Sequence, residues 1–262
     1  MRRSRLPFIV LTLVLVFFYL PILILVVNSF NASRFGSGWQ GFSLRWYVRL
    51  FQEAEIWQAA RNTLVIAVSV TLVSLVLGTT SALALHRFAK TRLQRFHYTL
   101  IYTPLVVPEI LMGISLLMAF VSAGVPLGLT TIFLAHVTFC VSYVALVVLG
   151  RLQDFDYAVV EAAQDLGAGW WTTARRVLLP MLAPGLAAGA LLAFTLSVDD
   201  FVITFFVAGP GATTLPIRIY SMIKHGATPL INALSTLLLT LTFLTVGASQ
   251  RLSKNKLLEG GS

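Results

Sequence analysis

Residues Leu6 to Val27 read LPFIVLTLVLVFFYLPILILVV, a run with no charged side chain. Crossing a bilayer's hydrocarbon core takes about 20 helical residues, so this run is long enough to span one. It also exceeds the roughly 7–15 apolar residues of a secretory signal core, and no small-x-small cleavage site follows it. The run is therefore expected to persist as a first transmembrane helix, preceded by Arg2, Arg3 and Arg5.

Outward from it, comparable runs occur near 62–85, 98–121, 129–150, 185–207 and 229–249, which with 7–28 predicts six spans. The composition agrees: 57% of the 262 residues are hydrophobic and 11% charged, against about 25% charged in an ordinary soluble domain. An all-α integral membrane fold follows. The net charge of +9 is spread over short segments between apolar runs, a pattern of membrane topology rather than of a nucleic-acid surface. Of the 19 Lys and Arg residues, Arg34, Arg45, Arg49, Arg61, Arg218 and Lys224 fall on one side and the other 13 on the opposite side. Positive residues accumulate in cytoplasmic loops, so both termini are expected in the cytoplasm.

Three regions follow: 1–61, the first span with an outer loop; 62–249, a core of five spans; and 250–262, a cytoplasmic tail whose final Glu-Gly-Gly-Ser is excluded from fold reasoning. The outer loop carries Phe30, Phe35, Trp39, Phe42, Trp46, Tyr47, Phe51 and Trp57, residues suited to the membrane–water boundary. Leu44 to Gln58 is expected to form a short surface helix, serving as an anchor or as a docking surface for an outer partner. Cys140 stands alone in an apolar run, which excludes an internal disulfide and a cysteine metal site and favours a core role.

The inner segment 151–184 is too long and too polar to be a mere connection. It mixes Asp154, Asp156, Glu161, Asp165, Arg175 and Arg176 with Leu166, Trp170, Trp171 and Val177–Leu179, interrupted by Gly167 and Gly169 and closed by Pro180 and Pro184. A short helix, a turn and a second helix leading into the fifth span are predicted. Within it Glu161-Ala162-Ala163, three residues, Gly167, nine residues, then Val177-Leu178-Leu179-Pro180 resembles the cytoplasmic loop of permeases of binding-protein-dependent ABC importers, with Val177 in place of the usual Ile. Small Ala162 and Ala163 suit a helix entering a tight cleft, Gly167 a turn, and Pro180 the start of the next helix. The resemblance implies the type I importer permease fold, and a coupling helix seated in a groove of a separate cytoplasmic ATPase, with Glu161 making a polar contact there.

No Gly-x4-Gly-Lys-Ser/Thr loop occurs, so ATP and its Mg²⁺ are expected on that partner and no cofactor on this chain. His86, His97, His136 and His225 lack metal or triad spacing, and no Gly-x-Ser-x-Gly elbow is present, so no catalytic residue is proposed and an embedded enzyme is disfavoured. The charges expected inside the spans are all acidic: Glu109 after Pro108 in the third, Asp199 and Asp200 in the fifth. A charge at a helix centre costs about 2.5–3.5 kcal/mol on insertion scales, so these are candidate pathway groups for a cation, with amines separated by methylenes a good match. Asp199 and Asp200 alternatively accept hydrogen bonds from Thr195, Ser197 or Thr204. Pro104 and Pro108 are expected to kink the third helix and free carbonyls.

Asn28–Asn31, Arg34–Gly36, Trp39–Phe42, Trp46-Tyr47, Pro108-Glu109-Ile110, Ser197–Asp200 and Ile219–Met222 resemble permeases of the spermidine/putrescine importers. Glu109 stands where Asp is frequent, and Leu230 follows Pro229 where relatives tend to carry an acid. The resemblance implies a bacterial inner-membrane location, a second and different permease chain, two ATPase subunits, a periplasmic polyamine-binding protein, and Trp46 and Glu109 as first solute contacts. The alternatives are the same machine carrying another cation such as ferric ion, and an ion-coupled secondary transporter, which leaves the 161–180 pattern unexplained.

Overall fold

The computed structural model describes residues 6–34, 38–88, 91–153, 155–226 and 229–259, with the side chains of the last helix placed as far as Thr245. Arg2, Arg3, Arg5, Phe35, Asp154 and the Gly-Gly-Ser end lie outside the described residues. The described chain is helical, with one isolated antiparallel bridge between Asn31 and Phe42. It divides into two compact units, Met1–Trp57 with Ile219–Ser262, and Gln58–Arg218.

The first unit contains α1 (Leu6–Ser29), α2 (Arg45–Gln52) and, by chain order the last helix of the protein, α11 (Pro229–Glu259). In α1 only Ser29 is buried; apolar side chains on every face suit lipid on all sides, and the helix touches α11. At its end Ser29 donates to the Val26 carbonyl at 2.6 Å, leaving its oxygen to receive the Tyr47 hydroxyl at 2.7 Å. Asn31 then organises the outer loop: its Oδ1 accepts from the amides of Ser33 (3.0 Å) and Gln40 (2.9 Å), and its Nδ2 donates to the Gly38 carbonyl at 2.8 Å. Phe30 lies between Phe42 and Tyr47, with centroids 5.5 and 5.3 Å away.

The helix expected over Leu44–Gln58 is divided. Glu53 leaves helical geometry (ψ 89°), ending α2, and α3 (Ala54–Arg87) starts at the next residue. Trp57 stacks on Phe51 and donates to the Leu50 carbonyl at 3.1 Å across that break. Trp39, Phe42, Val48, Phe51 and Trp57 are exposed, as boundary aromatics should be.

The second unit holds most of α3 and α4 (Arg92–Val106), α5 (Glu109–Ser122), α6 (Leu129–Gln153), α7 (Ala158–Asp165), α8 (Trp170–Asp199), α9 (Val202–Val207) and the start of α10 (Leu215–Lys224). Its centre is α6, whose Ile132, Cys140, Val144, Val148 and Leu152 are fully buried; Cys140 thus sits in the core. Glycines let neighbouring helices close on α6. A Cβ at Gly78 of α3 would lie 2.7 Å from Val144 Cβ, one at Gly189 of α8 3.4 Å from Val144 Cγ1, and one at Gly185 3.1 Å from Arg151 Cβ. Water cannot drive helices together inside a bilayer, so close backbone approach at small residues supplies the packing.

Among the described residues four helices, α1, α3, α6 and α8, are long and apolar enough to span a membrane, and the α4–α5 pair makes a fifth if counted as one. The sixth expected run is a shorter apolar stretch, Pro229–Thr245 of α11. Two expected spans are not continuous. The run at 98–121 is broken by a 111° bend between α4 and α5, because a residue before proline is driven to extended backbone and Val107 adopts ψ 128°. The run at 185–207 breaks at Asp200, which is extended (ψ 122°). The expected boundary at 61/62 falls inside α3, and α11 groups with α1 rather than with the other spans.

Candidate functional site

Both breaks open on one cavity of about 290 Å³, lined by Pro104 of α4, Glu109 and Met112 of α5, Phe139 and Tyr143 of α6, Leu196 and Asp199 of α8, and Asp200 to Ile203 at the second break. All three carboxylates picked from the sequence therefore meet in one place. Among the described residues no Lys or Arg lines it, so the field in the cavity attracts cations. Aromatic and aliphatic wall alternates with the acids, and the volume is at the lower end of the roughly 300–1,000 Å³ of ligand clefts.

Helix breaks explain why the acids are tolerated. Glu109 occupies the first position of α5, with Pro108 as N-cap, where a negative charge complements the helix dipole. Proline has no N–H to lose there, so the break strands fewer donors than it would elsewhere. Glu109 is exposed.

The two aspartates part company. Asp199, the last residue of α8, is exposed. The side chain of Asp200 is 7% exposed, and its Oδ2 accepts from the Thr204 amide at 2.8 Å and the Thr204 hydroxyl at 2.6 Å, with His136 Nε2 at 3.2 Å. His136, 1% exposed on α6, also reaches Thr204 Oγ1 at 2.9 Å through Nε2 and Ser197 Oγ at 2.8 Å through Nδ1. An imidazole protonated on Nε2 satisfies the whole set: Nε2–H is shared between Asp200 and Thr204, and Nδ1 accepts from Ser197. Asp200 therefore has the hydrogen-bonded role weighed for it in the sequence, with Thr204 as foreseen. His136, its other partner, was missed; its contacts lie 61 to 68 residues away, beyond any local pattern.

Trp46 belongs to the first unit and is 5% exposed. Its indole N–H donates to the Asn31 carbonyl at 2.9 Å, and the Arg45 guanidinium lies 4.4 Å from its ring centroid. Here the tryptophan holds the loop between α1 and α2 and already carries a cation on its face.

The inner segment forms the predicted helix, turn and helix. Asp156 Oδ1 accepts from the Ala158 amide at 2.9 Å, starting α7. At its other end Gly167 takes φ +84°, its amide reaching Gln164 O at 2.9 Å and that of Ala168 reaching Ala163 O at 3.0 Å. This is a Schellman stop, whose left-handed residue is usually glycine. Pro180 stands in the first turn of the α-helical stretch Leu179–Asp199, as expected, although the helix as a whole begins ten residues earlier at Trp170. Between them lies a π turn at Ala174–Leu178, where the Leu179 amide bonds Ala174 O, an adjustment of the kind prolines and extra residues cause.

No residue of α7 is buried, and Leu166, Trp170 and Trp171 are 88%, 75% and 68% exposed. Glu161 lines a second cavity, of about 440 Å³, with Arg87 and Leu83 from the end of α3, Tyr157, Val160 and Gln164 around α7, and Trp170 and Leu178 of α8. His86 stacks on Tyr157 with centroids 5.1 Å apart, joining α3 to the start of α7. Ala162 and Glu161 are exposed, Ala163 half-buried, and Leu179 and Pro180 exposed.

Residues 74–256 match the family model described as binding-protein-dependent transport system inner membrane component. The chain is 42% identical over 246 residues to the spermidine/putrescine transport system permease protein PotC of Escherichia coli (strain K12), covering 94% of this chain and 93% of the relative. It is 43% identical over 243 residues to the putrescine transport system permease protein PotI of the same strain, covering 90% and 86%. Among solved structures, a bacterial ABC transporter involved in the import of the acidic polysaccharide alginate superposes with a TM-score of 0.73 at 15% identity, over 96% of this chain and 98% of that one. An inward-facing MetNI methionine ABC transporter gives 0.62 at 21% identity, over 76% and 96%. At such identities these two likenesses concern the fold alone.

Proposed function

Because the chain belongs to the family of binding-protein-dependent transport system inner membrane components, we propose that it is the permease subunit of an ATP-driven polyamine importer, carrying putrescine or spermidine. The observation that carries the cargo class is the convergence of Glu109, Asp199 and Asp200 on a cavity that no Lys or Arg lines among the described residues. The alginate transporter shares the fold while importing an acidic polysaccharide, so the fold leaves the cargo open and the side chains must supply it. Curated relatives at 42% and 43% identity named for spermidine/putrescine and putrescine agree with the acids.

In this reading Glu109 and the exposed Asp199 meet the ammonium groups, while Phe139, Tyr143 and Phe201 face the methylenes between them. Carboxylates that touch a passing cation must hold it weakly enough to release it, and two acids on opposite helix ends do this better than one closed cage. One chain forms half of the path; a second permease, a different chain, forms the rest. Two ATPase subunits seat the α7 region, whose Glu161 makes the polar contact and whose exposed Leu166, Trp170 and Trp171 make the apolar one. A periplasmic polyamine-binding protein delivers the solute to the outer side, and both termini are cytoplasmic. Closure of the ATPases moves α7, and the α8 helix that follows it runs through its π turn to Asp199 at the cavity. One helix thus joins the two sites, and ligands at either end bias its position.

The test is uptake of radiolabelled putrescine and spermidine into vesicles holding the whole transporter. ATP-dependent uptake that falls with Glu109→Gln and is uncoupled from hydrolysis by Glu161→Ala is the expected result. Uptake driven by an ion gradient without ATP would overturn the reading.

A further inference from the structure

Asp199 and Asp200 are neighbours in sequence, both line the same cavity, and yet one is exposed while the other is held by His136 and Thr204. We propose that His136 is a positioning residue for solute passage: by gripping Asp200, Ser197 and Thr204 it fixes the corner between α8 and α9, so that Asp199 stays exposed at the cavity while the carboxylate of Asp200 is held in its wall. The inference rests on the cavity being the cation path.

The geometry is specific to the corner. Ser197 is in the last turn of α8, Asp200 is the non-helical residue at the break, and Thr204 is in α9; one imidazole from α6 bonds all three. Asp200 also bonds the Thr204 amide, which ties the start of α9 to the break. A backbone break inside a membrane is tolerated where its polar groups are satisfied by protein, and this cluster satisfies it from three sides. Thr131 of α6 holds the far end of α9 through the Val207 carbonyl at 2.7 Å, but the imidazole is the α6 group that bonds a carboxylate of the pair. Without it, flexible rotation about Asp200 would exchange the two acids, and a second mobile acid would hold a cation that Asp199 alone would release. The buried pair is thus an arrangement that sets one acid's position by occupying the other.

The experiment uses the full transporter with Cys140→Ala and Asp199→Cys in this chain, labelled by a cationic methanethiosulfonate and read as a mass shift on this chain. In parallel, uptake is measured with Asp199 native. Expected for His136→Ala is a labelling rate lowered about tenfold, the scale of one charged hydrogen bond. Maximal uptake should fall by a similar factor, while the concentration of loaded binding protein giving half-maximal uptake is unchanged. His136→Gln, whose amide can donate toward Asp200 and accept from Ser197, should restore both. Should His136→Ala fail to assemble, the near-isosteric Thr204→Val must show the same two effects. Labelling that stays within about twofold in an assembled variant overturns the inference, whatever uptake does. Labelling that changes while uptake does not supports the positioning and removes the cavity from the solute's path.

Discussion

The amide of Ala168 reaches back 3.0 Å to the carbonyl of Ala163, and Gly167 between them sits at φ +84°. Left-handed backbone costs a residue with a Cβ roughly 1–2 kcal/mol, enough to shift the turn's population about tenfold. A Cβ at Gly167 would meet no atom within 4 Å, so the cost is conformational alone. Gly167→Val should leave the chain assembled but lower the stimulation of ATP hydrolysis by loaded binding protein. Gly167→Asn should do less harm, since Asn tolerates this conformation. Equal stimulation in all three proteins would show that the stop is dispensable.

The apolar surface beside that turn predicts a separable defect. Leu166, Trp170 and Trp171 are exposed, and of the three Trp170 also lines the cavity beside Glu161, so little of their surface serves packing within the chain. Trp170→Ser with Trp171→Ser should leave the melting temperature of the purified permease unchanged within about 2 °C, the effect of a surface change of roughly 0.5 kcal/mol. Copurification of the ATPase should fall severalfold. Retained ATPase would locate the docking contact elsewhere.

Asp199 and Asp200 should respond oppositely to removal of charge. Asp199→Asn is expected to slow polyamine uptake without changing thermal stability. Asp200→Ala leaves the amide and hydroxyl of Thr204 without their acceptor, while His136 keeps Thr204 Oγ1, and buried groups left so cost about 1–3 kcal/mol each. Its melting temperature should drop by several degrees, measured on detergent-solubilised complex. A stable Asp200→Ala protein would mean the cluster bears little of the load.

Gly78 and Val144 offer a test by restoration. A methyl at residue 78 would lie 2.7 Å from Val144 Cβ, and overpacking of this kind costs about 1–3 kcal/mol. Gly78→Ala should destabilise the transporter, and Val144→Gly in the same chain, which removes both the Cβ and the Cγ1 that the new methyl would meet, should recover part of the loss. A thermal shift assay on the two single variants and the double variant measures the coupling; simple additivity would place α3 elsewhere on α6.

How far the sequence could be read depended on distance along the chain. Long apolar runs fall on helices because a bilayer demands helices of that length, so Leu6–Ser29 and Leu129–Gln153 needed nothing beyond their composition. The spacing of Glu161-Ala162-Ala163 and Gly167 carried the α7 turn, since a glycine two residues past the end of a short helix is a local stop signal. The breaks were partly legible. Pro108 followed by Glu109 is a helix-start signature, but the same proline also fits a kink, and only tertiary packing selects the 111° bend. The break at Asp200 was hidden inside an apolar run. Its cause, a buried imidazole on another helix, is a long-range contact that periodicity does not encode. Pro180 marked the start of the α-helical stretch Leu179–Asp199, but the π turn that joins it to Trp170 carries no sequence signal.

The grouping of the first and last segments into one unit has a consequence for synthesis. The partner helix of α1 begins at Pro229, about 200 residues after Ser29; at about 5–20 residues per second it follows α1 from the ribosome by about 10–40 s. Throughout that interval α1 has only lipid for company, which its uniformly apolar surface permits. The unit from Gln58 to Arg218 is contiguous and can close while translation continues. Release of α11 is therefore the step that gives α1 its partner helix, and a truncation before Pro229 should leave α1 without it.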